Sequence, residues 1–315
     1  MLRLNRIWLL MVILGGCSSA SGPEARWTVG LSVLNTTNPF FKEIADTMTE
    51  EGAKHGYRVI TVSGDDDVVK QDKQLADFIV KKVDAIVLSP CDSKSIGQAI
   101  QKANTAGIPV FTVDIGCLAP GAKVVTHIAT DNYAGGKQAA VAMIEALGPA
   151  GGRIAVLDHR MVESCQLRVK GFKEVLDEHN QKPGTGRIDI VAELPSGGSK
   201  DQGYKSAEDI LQAHGNLAGI FAINDPSALG ARAALEKAGR ARRVKIIGFD
   251  GQPEGKRAIR DGNIYADPVQ YPDKIGRTAA ATIARYFDGE EVPAEILIPT
   301  GLYRQADGMK DSTLD

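Results

Sequence analysis

The sequence has no surplus of any one chemistry, and several kinds of residue are scarce. Basic and acidic side chains nearly cancel, 37 Lys and Arg against 39 Asp and Glu, leaving a formal charge of −2. No basic stripe is available to neutralise a phosphate backbone, which argues against nucleic acid as a partner. Cysteine is limited to four residues and histidine to five. Their spacing matches no zinc pattern and no HExxH pair occurs, so no metal site is expected. No glycine-rich phosphate loop follows the first strand-like run; "GPAGGR" (148–153) precedes a strand instead of opening a helix and reads as a turn. No nucleophile stands beside a positioned base, and no cofactor is implied. Asp114 and Asp250 can be imagined as a glycosidase pair, but two lobes that open and close would fix their separation poorly. The chain reads as a binding protein, not an enzyme.

Long hydrophobic runs are also missing. The one apolar stretch, "IWLLMVILGG", follows Arg3 and Arg6 and is too short to span a bilayer, so it reads as a secretory signal. It ends "LGGC" at Cys17, which resembles the bacterial lipobox, where the cysteine is lipidated and becomes the new N-terminus. Residues 1–16 are then a lipoprotein signal peptide and 17–26, rich in Ser, Gly and Pro, a flexible tether. The expected location is extracytoplasmic, periplasmic or cell-surface, anchored to membrane by acyl chains. Three cysteines remain, Cys91, Cys117 and Cys165; Cys91 and Cys117 fall just beyond neighbouring strands and are placed to pair, while an odd count leaves one thiol free.

What is present is an alternation. Strand-like runs such as "TVGLSVL", "DAIVLSP", "PVFTVD", "RIAVLDH", "AGIFAIND" and "VKIIGFD" are separated by amphipathic segments such as "DKQLADFIVKKV" and "SALGARAALEKAG". Repeated β-α units with near-continuous apolar strands predict parallel sheets covered by helices on both faces. Gly107, Gly148 and Gly239 read as helix stops. Residues 75–114 and 207–250 each run helix, strand, polar turn, helix, strand, Asp, which predicts two similar doubly wound lobes.

In open α/β sheets, ligands bind outside the carboxyl ends of the strands. The strand-end residues are Asn38, Phe40 and Phe41; Asp114 and Ile115; His159 and Arg168; Asn224 and Asp225; Asp250; and Gln270. Facing lobes would gather them in an interlobe cleft. Planar groups with paired donors or acceptors grip vicinal hydroxyls, and an aromatic face packs on the C–H face of a sugar or polyol. A small neutral sugar or polyol suits this set better than a phosphate. Each residue has a plainer reading as well: the phenylalanines as a plug seating a helix, Asp225 and Asp250 as turn formers, Arg168 as a surface helix residue.

These residues carry a family resemblance. The runs "NTTNPFFKEI", "VDAIVLSPCDS", "HIATDNYAGGK", "LRVKGFKEVL", "FAINDPSALGA", "IIGFDGQPEG" and "PVQYPDKIG" resemble the ribose-binding branch of type I periplasmic sugar-binding proteins, the receptors of bacterial ABC importers. The likeness spans residues 28–302. It implies the periplasmic-binding-protein-like I fold: two lobes, 27–130 plus 271–298 and 131–270 plus 299–315, joined by a three-strand hinge with the ligand between them. It further implies that Asn38, Asp114, Arg168, Asn224, Asp250 and Gln270 bind hydroxyls while Phe40 and Phe41 flank the ring. Permease subunits in the membrane are the implied partners, and a monomer the expected state. Two departures stand out: Ile115 replaces an arginine of ribose binders, and Gly198 falls where they carry a third aromatic. Tyr133, His159 and Tyr204 are candidates for a replacement contact. A sensory receptor feeding a histidine kinase or chemoreceptor would use the same residues. A sugar-responsive repressor shares the fold but would need a helix-turn-helix in place of the signal segment.

Overall fold

The computed structural model describes residues 25–314. Cys17, the signal segment and most of the proposed tether lie outside the described residues. Arg26, at the end of that tether, already belongs to the fold: its N–H donates to Gly56 O at 2.8 Å and its guanidinium lies 4.1 Å over the Trp27 ring.

Strand β1 (Trp27–Val33) is followed by α1 (Pro39–Lys54), β2 (Tyr57–Ser63), α2 (Val68–Val80), β3 (Ala85–Leu88), α3 (Gly97–Thr105), β4 (Val110–Val113) and β5 (His127–Thr130). Next come α4 (Asn132–Leu147), β6 (Gly152–Asp158), α5 (Glu163–Asn180), β7 (Ile188–Pro195), α6 (Lys200–Ala213), β8 (Leu217–Ala222) and α7 (Asp225–Lys237). The chain continues through β9 (Lys245–Ile247), α8 (Pro253–Arg260), β10 (Ala266–Val269), α9 (Pro272–Phe287), β11 (Glu295–Ile298) and β12 (Gly301–Arg304). None of the described helices is long and apolar enough to cross a membrane.

Two six-stranded sheets result, ordered β11-β5-β4-β3-β1-β2 and β12-β10-β9-β8-β6-β7. The orders superimpose strand for strand, with one difference: β11 runs parallel to β5, whereas β12 runs antiparallel to β10. The apolar runs "AIVL" of β3 and "VFTV" of β4 are buried at every position, as strands covered on both faces must be. The chain passes from one sheet to the other after β5, after β10 and between β11 and β12. Each passage is short, and Asp131 N donates to Ile298 O at 2.9 Å, tying the first to the third.

Two expectations are corrected here. The strand-like runs did not include β11 and β12. Both are only four residues long, and β11 alternates exposed and buried positions at a sheet edge, so neither has the apolar continuity that marked the others. Cys91 and Cys117 are unpaired, as is Cys165. The Cys91 thiol turns inward, 3.8 Å from Leu34 O, while half-buried Cys117 packs against a different core cluster.

Helix contact in the second body rests on missing side chains. A Cβ on Gly136 of α4 would lie 2.0 Å from Arg168 O, and one on Gly171 of α5 would lie 2.2 Å from Tyr133 O. Each glycine thus admits the other helix's backbone. In an open helix Gly→Ala stabilises by about 1 kcal/mol, but overpacking at such a contact costs ~1–3 kcal/mol. Gly136→Ala should therefore lower the denaturant midpoint, whereas Gly215→Ala, with nothing within 4 Å, should leave it unchanged.

Candidate functional site

The carboxyl ends of both sheets face one cavity. After β1, Asn35 accepts from Asn38 N at 2.9 Å through its side-chain oxygen, and Asn38 in turn caps α1, its Oδ1 accepting from Phe40 N at 3.0 Å. Pro39 follows at the first helical position, where its missing N–H costs nothing. This cap sets Phe40 and Phe41 on the first turn, only 4% and 5% exposed, with their rings edge-to-face at 5.3 Å. Both rings border the cavity and both belong to the core. The plug and the wall are the same two side chains.

The internal repeat reappears in the backbone. Asp114 directly follows β4, and Asp250 stands at the corresponding place beyond β9. Neither is glycine, yet their φ angles are 63° and 104°. Non-glycine residues rarely adopt positive φ, and such backbone clusters at functional positions. The strain turns each carboxylate into the space between the sheets.

Their partners differ sharply. Asp250 accepts from Arg168 Nη1 at 3.2 Å and Gln270 Nε2 at 2.6 Å on one oxygen, and from Gln252 Nε2 at 3.1 Å on the other. Arg168, 3% exposed, also donates to Asn132 Oδ1 and Ile223 O, both at 2.7 Å, and stacks 4.0 Å over Phe249. Its Nη2 makes no hydrogen bond among the described residues. Burial pushes the Asp250 carboxyl up, against the pull of Arg168, Gln270 and Gln252. Asp114 Oδ1 is buried with no partner among the described residues. Burial pushes Asp114 up to about 7; Arg168 opposes this, while Asp250 and Glu163 add to it. Gln270 Oε1 is likewise buried and unpartnered.

Asn38, Phe40, Phe41 and Asp114 border this cavity from the first sheet, and Arg168, Asn224, Asp250 and Gln270 from the second and its exit. The cavity measures about 50 Å³ as room for the centres of water molecules, several times the ~10–15 Å³ that one water needs. Asn224 is partly committed to structure: it caps α7 through Ser227 N at 3.0 Å and donates to Gly198 O at 2.9 Å. One amide hydrogen and one lone pair of Oδ1 are left for the cavity. Ile115, His159 and Gly198 border the cavity too.

Tyr133 and Tyr204 do not. Their hydroxyls bond Glu174 and Glu208, and neither ring reaches the cavity. Asp225 lies behind it, fully buried at the start of α7, accepting from Gln252 N at 2.6 Å. Sequence reasoning missed Asn132, Phe249 and Gln252, which orient Arg168 and Asp250. Gln252 follows "FDG" at a strand end and was findable; Asn132 and Phe249 act from behind the site. Cys165, also missed, borders the cavity with its thiol pushed up to about 12 by burial, which leaves it un-ionised. No group of three or more metal-ligating side chains occurs among the described residues.

Hydrogen bonds cross the cleft on both flanks. Gln252 Nε2 donates to Asn38 Oδ1 at 3.0 Å. Ser93 N donates to Met161 O at 3.0 Å, Glu163 N to Ser93 Oγ at 2.9 Å, and Gly116 N to Glu163 Oε2 at 3.3 Å. The two bodies are therefore closed against each other around the cavity.

Compared with known proteins, residues 29–291 match the family model described as a periplasmic binding protein domain. The ribose import binding protein RbsB of Bacillus subtilis is 33% identical over 288 residues, 91% of this chain and 90% of its own. A D-apiose import binding protein of Actinobacillus succinogenes is 34% identical over 234 residues, covering 74% of this chain and 73% of its own. Among solved structures, an ABC transporter periplasmic solute binding protein of Actinobacillus succinogenes with bound D-allose superimposes with a TM-score of 0.81 at 26% identity. That match covers 90% of this chain and all of the other. Proteins of this kind bind solutes for transporters and are not enzymes. The chain belongs to the periplasmic binding protein family, as a type I sugar-binding protein of the ribose-binding branch.

Proposed function

We propose that this protein is an extracytoplasmic receptor that closes around a monosaccharide or polyol and delivers it to an ABC-type importer. The observation that carries the reading is the convergence of Phe40, Phe41, Asp114, Arg168, Asp250 and Gln270 on one cavity between two sheets. Residues 27–130 with 271–298 form one lobe, and 131–270 with 299–315 the other. The hinge is the set of three passages, at Thr130 and Asp131, Gln270 and Tyr271, and Pro299 and Thr300.

Each site group has a role that its unused valences allow. Arg168 offers Nη2, Gln270 its Oε1, Asn38 its amide hydrogens, and Asp114 both oxygens. The phenylalanines cover the apolar face of the ring. Ile115 presents a methyl surface where ribose binders have an arginine, so a ligand hydroxyl directed there would go unpaired, at about 1–3 kcal/mol. This disfavours ribose in the family's usual pose and favours a ligand with an apolar edge on that side.

Asp114 makes closure conditional. When the lobes close without a ligand, a buried carboxylate has nothing to accept. Ligand hydroxyls supply the missing donors and stabilise its charge, so differential affinity for the closed form follows.

Three outcomes test this reading. Asp114→Asn should weaken sugar binding at least a hundredfold by calorimetry while leaving the fold intact, since Asp114 holds no other side chain in place. Asp250 is a poorer probe, because removing it strands buried Arg168 at a cost of about 3–5 kcal/mol. The pH dependence follows from the raised carboxyl. Below pH 4 it is neutral in both the open and the closed form; from there to about 7 only the open form, where water reaches it, ionises freely, so closure without ligand is disfavoured as pH rises. The closed fraction of the ligand-free protein, read by small-angle scattering, should fall between pH 4 and 7 in wild type and not in Asp114→Asn; parallel profiles would remove Asp114 from this role. Finally, Cys17→Ser should release the protein from the membrane fraction if that cysteine carries the lipid anchor.

A further inference from the structure

The central cavity adjoins a second, larger one. An outer groove of about 540 Å³ runs between the lobes. Five residues, Asn35, Asn38, Asp66, Gly197 and Gly198, line both spaces, and the Gln252 side chain, bonded to Asn38 and Asp250, stands between them as well. Two of the five are glycines with φ of 55° and 66°, a conformation in which side chains are disfavoured. A Cβ on Gly198 would stand 3.2 Å from Asn224 Nδ2 and 3.5 Å from His159 Nδ1. At the Gly197–Gly198 turn the partition is thus backbone only, while the Gln252 side chain closes it beside Asn38.

The outer walls have their own chemistry. Asp66, Asp225 and Glu254 offer carboxyl groups, and Lys200 and Arg257 offer donors. Pro226 and Pro253 add rigid aliphatic faces. Lys200 Nζ and Glu254 Oε1 are 2.6 Å apart and Asn35 holds Asp66 at 3.0 Å, so acceptors and donors are already oriented. Three carboxyl groups against two cations disfavour an anionic ligand. Paired donors and acceptors beside apolar faces are what a hydroxylated ring requires.

We propose that the ligand is a sugar carrying a second saccharide unit, which passes the Gly197–Gly198 turn and lies in the outer groove. This rests on the sugar-receptor reading above and extends it from one ring to two. The groove then acts as a specificity subsite for the second unit.

The test is calorimetry of the protein against free pentoses, hexoses and inositols, followed by disaccharides and methyl glycosides built on whichever sugars bind. At least one disaccharide should bind within tenfold of its free sugar, or tighter. Lys200→Ala, at an exposed position that lines the outer groove and not the central cavity, should weaken that disaccharide at least tenfold more than the monosaccharide. Arg257→Ala, at an exposed position away from the central cavity, should do the same without burdening the fold. Binding of the free sugar with every disaccharide and glycoside excluded would overturn the proposal and leave the receptor reading standing, as would equal losses for both ligands in the two variants. Failure of all neutral carbohydrates to bind would overturn both.

Discussion

One buried ion pair organises the cavity floor. Arg168 and Asp250 sit 3.2 Å apart in the protein interior, and neither position is tenable alone. A buried pair gives little net stability against an apolar alternative, but breaking one half is costly, so its geometry is held firmly. Around it, Phe249 supports the guanidinium face, Asn132 and the Ile223 carbonyl take two of its N–H groups, and Gln270 and Gln252 fill the carboxylate. Those partners come from α4, the end of β8, the turn after β9 and the passage after β10. The pair therefore joins the second sheet's carboxyl edge to the hinge, and Gln252 extends the network across the cleft to Asn38.

Against that saturated floor, Asp114 is the group left wanting. It is the counterpart of Asp250 in the other repeat, with the same left-handed backbone, but it lacks the matching set of donors. A symmetric architecture thus carries an asymmetric site: one carboxylate is satisfied by protein, the other awaits hydroxyls from outside. On the proposed function, this division would let the second lobe stay rigid while ligand shifts the interlobe equilibrium. It also explains why two strained backbone positions persist, since each aims a carboxylate at a place no ordinary strand end would reach.

Much of this was legible in the sequence, for identifiable reasons. Apolar runs such as "AIVL" and "VFTV" mark buried parallel strands, and the two repeats ending at Asp114 and Asp250 foretold the matching sheets. The strand-end rule then selected residues that, Asp225 aside, border one cavity. Less legible was anything decided by tertiary packing. β11 and β12 are too short to show a period, and the inward turn of Cys91 is set by its neighbours across the sheet. Asn132 and Phe249 act on Arg168 from behind, so only the folded chain reveals their part. Asn224 was read as a hydroxyl ligand, and half of its hydrogen-bonding capacity goes to capping α7 and bracing Gly198. Asx residues serve both purposes, and sequence alone does not separate them.

The account turns on lobes that separate when empty and close on a sugar. Small-angle scattering of the protein, with and without a saturating carbohydrate ligand identified by calorimetry, measures this directly. A smaller radius of gyration in the bound state, with the bound curve matching the closed arrangement described here, is the expected result. Identical curves for the free and bound protein would contradict it.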